Sequence, residues 1–187
     1  MAGPMLRTIL FFAASAAIVS LSWRSLKDAH THGFYRFFAF ELLLGLILWN
    51  APLWWRDPLS WRQLASYLLG AVSIGLAIEG FRLMRVIGQP APGRIESTNL
   101  AFENTTTLVT LGVYRWIRHP LYASLLALTG CAYFKNPTGL ASIVLTLGTS
   151  GCLLGTALAE EGENLKRFGA AYADYKKRTQ RFIPFVF

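Results

Sequence analysis

The sequence predicts an all-α protein, a polytopic membrane helix bundle of about five transmembrane helices in a single domain over 1–187, and three observations carry that expectation. The first is composition: of 187 residues, 53% are hydrophobic, and the mean hydropathy is +0.39, too apolar for an ordinary soluble domain. The second is grouping. Apolar residues collect in runs over 6–23, 34–55, 61–87, 121–135 and 138–159, and most of these are long enough to cross about 30 Å of hydrocarbon as helix. The third is the placement of charge. A net charge of +8, from 18 Lys plus Arg against 10 Asp plus Glu, lies between the runs, so the expected partner is the anionic surface of membrane lipids and not nucleic acid.

The first run, 6–23, is broken early only by Arg7 and reads as a short span. A cleaved signal peptide is the competing reading, because Arg7, the apolar stretch and the Ala-rich segment 13–17 resemble its three regions. His30 and His32 follow in a stretch expected to be a solvated loop, since two histidines without a third ligand are weak evidence for a metal. The second run, 34–55, contains Glu41, which the cost of a carboxylate in hydrocarbon should turn toward the bundle interior. Pro52, Trp54 and Trp55 mark its interface. In the third run, 61–87, Glu79 and Arg82 are three residues apart and share a helix face. Cys131 and Cys152 lie in apolar stretches without pairing or ligand spacing, so buried, reduced thiols are expected and no metal site.

From 88 to 111 the periodicity vanishes. A loop of this length predicts function, here a lid or entrance, and it divides the three N-terminal spans of 1–87 from a loop, helical hairpin and tail over 88–187. It leads into residues 108–122, LVTLGVYRWIRHPLY, which set Arg115, Arg118, His119, Tyr114 and Tyr122 between apolar segments. Proline disfavours the α conformation at the residue before it, so His119 should stand just outside a helix that Pro120 opens. The unsatisfied N–H groups and dipole of such a helix mouth suit an anionic group. Arginines flanking a span also act as topology signals and head-group anchors.

The fourth run is short for a crossing and must tilt, begin among the head groups or share its depth with a neighbour. Asn136-Pro137 turns it into an antiparallel hairpin with the fifth run, where Gly151 and Gly155 form a small-xxx-small face for a close partner. Glu160 and Glu161 follow, with Leu165, Phe168, Tyr172 and Tyr175 at helical spacing. Those four define one face of an amphipathic tail helix at the membrane surface or against the bundle. With five spans, Arg24, Lys27, Arg36, Arg82, Arg85, Arg94, Arg115, Arg118, Lys166, Arg167, Lys176, Lys177, Arg178 and Arg181 share one side, against Arg7, Arg56, Arg62 and Lys135 on the other. That asymmetry predicts a cytoplasmic tail and site, with the N-terminus outside, in a multi-pass inner or cytoplasmic membrane protein.

The ordered set Arg118-His119-Pro120-Leu121-Tyr122, an apolar hairpin, Glu160-Glu161, Phe168-Gly169-Ala170-Ala171-Tyr172-Ala173-Asp174-Tyr175 and Arg181-Phe182-Ile183-Pro184 resembles the integral-membrane methyltransferases. That superfamily includes isoprenylcysteine carboxyl methyltransferases and phospholipid methyltransferases, and the resemblance covers about 108–184. It implies S-adenosylmethionine as methyl donor and a lipophilic acceptor arriving from the bilayer. By the family's pattern Tyr114, Arg118, His119 and Tyr122 would line the donor pocket, Glu160 and Glu161 would meet the donor's amino or ribose groups, and Arg178 and Arg181 would orient an anionic acceptor as catalytic residues. The alternatives are a membrane reductase using NADPH, whose C-terminal architecture is similar, and a non-enzymatic membrane scaffold.

Overall fold

The computed structural model describes residues 3–89 and 105–186. Among them stand six α-helices: α1 (Pro4–Ser22), α2 (His32–Asn50), α3 (Trp61–Val86), α4 (Pro120–Tyr133), α5 (Leu140–Phe168) and α6 (Ala170–Arg178). Their starts follow local chemistry. Pro120 opens α4, and the Ser60 hydroxyl caps α3 by accepting from the Gln63 N–H at 3.4 Å. α1, α2 with its 3-10 extension to Leu53, α3 and α5 are long and apolar enough to cross a membrane. Phe12, Leu68, Ile74, Ile78, Val144 and Leu147 on α1, α3 and α5 are exposed, a surface that suits lipid and would aggregate in water. The chain is a multi-pass integral membrane protein.

α4 has 14 residues, about 21 Å of helix at 1.5 Å per residue. It shares its depth with α3: Pro120 and Leu121 pack on Gly80 at one end, and at the other Lys135 Nζ donates to Gln63 Oε1 at 2.6 Å. Among the described residues four helices are of spanning length, and the shorter α4 runs beside α3 between the same two polar ends. At the end away from the site, Asn50 Nδ2 donates to the Ala132 carbonyl at 3.0 Å and the Ser142 hydroxyl to Asn50 Oδ1 at 3.0 Å. These bonds satisfy polar groups that burial would otherwise penalise. Glu41 turns to α1, accepting from the Ser15 hydroxyl at 3.0 Å.

Helix packing departs from the expected hairpin. α5 lies along α2, where a Cβ on Gly155 would stand 3.0 Å from the Tyr35 ring and one on Gly148 3.1 Å from Leu42, whereas one on Gly151 would meet nothing within 4 Å. The close face of α5 thus repeats every two turns and faces α2, not the hairpin partner. α4 is drawn away to α3, where a Cβ on Gly130 would approach Leu69 to 2.9 Å. Cys131 is buried but Cys152 is only half-buried; both are free thiols.

Three further expectations change. α5 does not stop at Ala159: its 29 residues extend about 44 Å, beyond a hydrocarbon core of about 30 Å, so Glu160 and Glu161 lie inside a helix. Gly169, at φ 55°, ends it, a conformation that favours glycine. Leu165 and Phe168 therefore belong to α5, while Tyr172 and Tyr175 belong to α6, where both are buried against the bundle. His32 is no loop residue. It is the first residue of α2, 2% exposed, with its N–H and Nδ1 at 3.0 and 2.6 Å from the Glu163 carboxylate, which pins α2 to α5. The expected lid falls mostly on residues 90–104, outside the described residues, as does Arg94.

Candidate functional site at one end of the bundle

Two stretches distant in sequence are paired to make the site. A 3-10 turn, Gly112–Arg115, starts at a glycine of φ 60° whose Cβ would stand 2.6 Å from Leu83. Beyond it, Ile117 and Gln180 form a parallel bridge. Arg118 N–H donates to the Gln180 carbonyl at 2.8 Å, Gln180 N–H to Trp116 at 3.0 Å and His119 N–H to Arg181 at 3.2 Å. The tail is thereby laid along the arginine-histidine stretch, with Arg181 and Phe182 beside His119. The Tyr175 hydroxyl fixes α6 by donating to the Tyr114 carbonyl at 2.7 Å.

Glu161 is the electrostatic centre, 2% exposed on α5. Its Oε1 accepts from Arg118 Nε and Nη2 at 3.1 and 3.0 Å and from Arg181 Nε at 3.0 Å, while Lys176 Nζ stands 2.7 Å from Oε2. Such charge-assisted bonds favour the ionised carboxylate. Arg118 Nη1 also donates to the carbonyls of Thr179 and Lys176, so one guanidinium ties α5, α6 and the tail together.

Adjacent helical residues point about 100° apart, and Glu160 points elsewhere. It is 28% exposed, with Oε1 3.8 Å from His119 Nδ1 and 3.5 Å from Asn164 Nδ2. His119 stands outside α4 at φ −124°, as its proline neighbour requires. Its ring stacks on Tyr122, with centroids 5.5 Å apart, and tilts against Phe182 at 6.2 Å. His119 Nε2 lies 3.6 Å from Glu161 Oε1, too far for a hydrogen bond. It and the Tyr172 hydroxyl are buried polar atoms without a hydrogen-bond partner among the described residues.

Both orphans border small cavities. One, of about 60 Å³, is lined by His119, Tyr122, Pro120 and Leu121; the other, of about 70 Å³, by Asn164, Phe168, Tyr172 and Tyr175; Met84, Tyr114, Arg118 and Glu160 line both. Burial pushes the phenols of Tyr114, Tyr172 and Tyr175 up, with the charge of Glu160 adding to the shift of the first two, so this wall stays neutral. An apolar groove of about 470 Å³ opens between α3 and α4, and Phe182 and Ile117 close its inner side. A third cavity, of about 490 Å³, is lined by Arg115 and Arg178.

The structure thus gathers Tyr114, Arg118, His119, Tyr122 and Glu160 around one compartment, with Glu161 and Arg181 behind it. Arg178 is not among them. Sequence reading missed Lys176, Asn164, Tyr172 and Phe182 as parts of this cluster. Asn164 had a signal, standing one helical turn after Glu160; Lys176 had none, because the break at Gly169 is what turns it back onto Glu161.

A multi-pass helical membrane protein, with a histidine-glutamate compartment at one polar end and an apolar groove beside it, is the class that fold and site define. The chain belongs to the isoprenylcysteine carboxyl methyltransferase (ICMT) family, whose model matches residues 74–167. It is similar to the protein-S-isoprenylcysteine O-methyltransferases of Mus musculus and Rattus norvegicus, 34% identical to each over 91 residues, covering 44% of this chain and 29% of each relative. The chain therefore spans under a third of the length of these curated relatives. No solved structure matches it significantly. The matched region contains Arg118, His119, Glu160 and Glu161 but ends before α6 and the tail.

Proposed function

We propose that the protein transfers a methyl group from S-adenosylmethionine to a lipophilic acceptor that enters from the bilayer. The observation that carries this reading is the meeting of His119 and Glu160 at 3.8 Å, beside two buried polar atoms without a hydrogen-bond partner among the described residues and next to an apolar groove. When bound, the donor supplies an electrophilic methyl group on a sulfonium. Such a transfer asks the protein for alignment of the reacting atoms and exclusion of water.

The chemistry of the lining fits the donor. Glu160, part-exposed, offers a carboxylate to an ammonium or ribose hydroxyl, and the rings of Tyr114 and Tyr122 offer faces that attract a cation. His119 Nε2 and the Tyr172 hydroxyl can take hydrogen bonds that burial otherwise leaves unmade. The two cavities, about 60 and 70 Å³, are smaller than the roughly 300 Å³ of an ordinary ligand pocket, so a nucleoside-sized donor needs the compartment to widen. Glu161 acts as a positioning residue by holding Arg118, Lys176 and Arg181. The acceptor's apolar part enters the groove between α3 and α4, with Phe182 as the partition from His119. Arg181, whose Nε is held by Glu161 at 3.0 Å, orients an anionic acceptor group by exchanging part of that contact for it.

The charge asymmetry supports a cytoplasmic site; a reporter fused after Phe187 should then read cytoplasmic and one before Met5 external. The activity test is incubation of purified protein with labelled S-adenosylmethionine and membrane extract, alongside direct binding of S-adenosylhomocysteine. Label in a lipophilic product, together with binding of that nucleoside, is the expected result. Binding of NADPH in its place, or of neither compound, would overturn the reading.

A further inference from the structure

The third cavity lies outside the proposed transfer compartment. Tyr175 lines both, and its hydroxyl bonded to the Tyr114 carbonyl at 2.7 Å makes it a wall between them. Most neighbouring cations are already committed: Arg118, Lys176 and Arg181 to Glu161, Lys177 to Asp174, and Arg82 to Glu79. Arg115 and Arg178 differ. Neither is in an ion pair within 4 Å among the described residues: Arg115 lies over the Trp116 ring at 5.2 Å, and Arg178 Nε donates to the Asp174 carbonyl at 3.3 Å, its charge reaching the exposed Asp174 carboxylate, which is paired with Lys177, only at longer range. Both line the same cavity of about 490 Å³, together with Thr110 and Gln180 and, among the described residues, without an acidic one.

The rim says where this cavity sits. Trp116 is 45% exposed, Leu111 59% and Phe185 77%, and the Trp116 and Phe185 rings meet edge to face at 5.2 Å. Exposed aromatic side chains beside arginines mark the depth of lipid head groups. Trp116 also lines the apolar groove between α3 and α4, so an anion held by the two arginines has an apolar track for an attached chain on the other side of one ring.

We propose that Arg115 and Arg178 bind the phosphate of a net-anionic phospholipid, with one acyl chain passing Trp116 toward the groove. Paired guanidiniums match phosphate oxygens in geometry as well as charge. With no carboxylate among the described lining residues, a zwitterionic head group finds no partner there for its cation, so the site favours anionic lipid. It does not depend on which reaction the neighbouring compartment catalyses.

The test uses the full chain in mild detergent, titrated with phosphatidylglycerol brominated on its acyl chains while tryptophan fluorescence is followed. Saturable quenching is expected, weaker by about tenfold in affinity when Arg115→Gln and Arg178→Gln are combined, for the loss of two charge-assisted contacts. Trp116 is the tryptophan that lines this cavity, so Trp116→Phe should abolish the saturable component while the non-saturable quenching of the other exposed tryptophans, Trp23, Trp49, Trp55 and Trp61, remains. Equal quenching by brominated phosphatidylcholine overturns the proposal, and so does unchanged affinity in the double variant. Displacement by millimolar inorganic phosphate would overturn the lipid assignment in favour of a soluble phosphate compound. If the double variant fails to fold, the unmodified protein's preference between the two lipids decides the matter.

Discussion

Replacing Glu161 by glutamine keeps the size of the side chain and removes its charge, which isolates what the carboxylate does. Three cations would then face one another across the ends of α4, α5 and α6 with no counter-charge. Arg118 is 7% exposed, Arg181 17% and Lys176 40%, so Lys176 can swing into water while the two arginines cannot. Breaking a buried ion pair costs about 3–5 kcal/mol, and the escape of Lys176 places this case near the lower end, at about 3 kcal/mol. For a chain of this length that is a fall in Tm of about 6–12 °C. Glu160→Gln should behave in the opposite way. Glu160 has only long contacts, so its loss costs under about 1 kcal/mol of stability, but donor affinity should fall roughly tenfold or more with the loss of a charge-assisted bond. Thermal unfolding of both purified variants, alongside S-adenosylhomocysteine binding, separates the two roles. Equal Tm values for parent and Glu161→Gln would refute the argument, as would parental donor affinity in Glu160→Gln.

His119→Ala should lose most donor affinity yet remain folded and inserted, since the backbone bonds of the His119 N–H and carbonyl do not need the ring; binding equal to the parent's would make it an interfacial histidine. Gly155→Ala should lower Tm by forcing Tyr35 away, at roughly 1–3 kcal/mol for overpacking, whereas Gly151→Ala should be neutral or slightly stabilising as alanine favours helix. Raised phenol pKa values make the folded state hold protons that the unfolded chain releases first. The stability contributed by Tyr114, Tyr172 and Tyr175 should therefore be present below the ordinary value of 10.0 and lost as pH rises beyond it. A melting series from neutral to alkaline pH checks this, and Tyr172→Phe should blunt the loss.

Composition and local pattern were enough to predict the membrane class, the five apolar segments and the place of His119 just before α4. Hydrocarbon thickness demands apolar runs of a given length, and a proline restricts the residue before it, so both effects are local in the chain. The sequence also placed Glu160 and Glu161 near Arg118, because a short Asn-Pro turn returns the chain to the same end. Tertiary structure alone decided the division of labour between the two glutamates: α5 continues past them, and one turns into the cation cluster while the other faces the cavities. The same holds for helix neighbours, where Gly155 meets Tyr35 of α2 because α4 is taken by α3. No local pattern announces the pairing of Gln180 with Ile117, since a two-residue bridge has neither periodicity nor turn signal. That pairing separates Arg181, drawn to Glu161, from Arg178, left lining another cavity together with Arg115, although the two stand three residues apart in one basic tail.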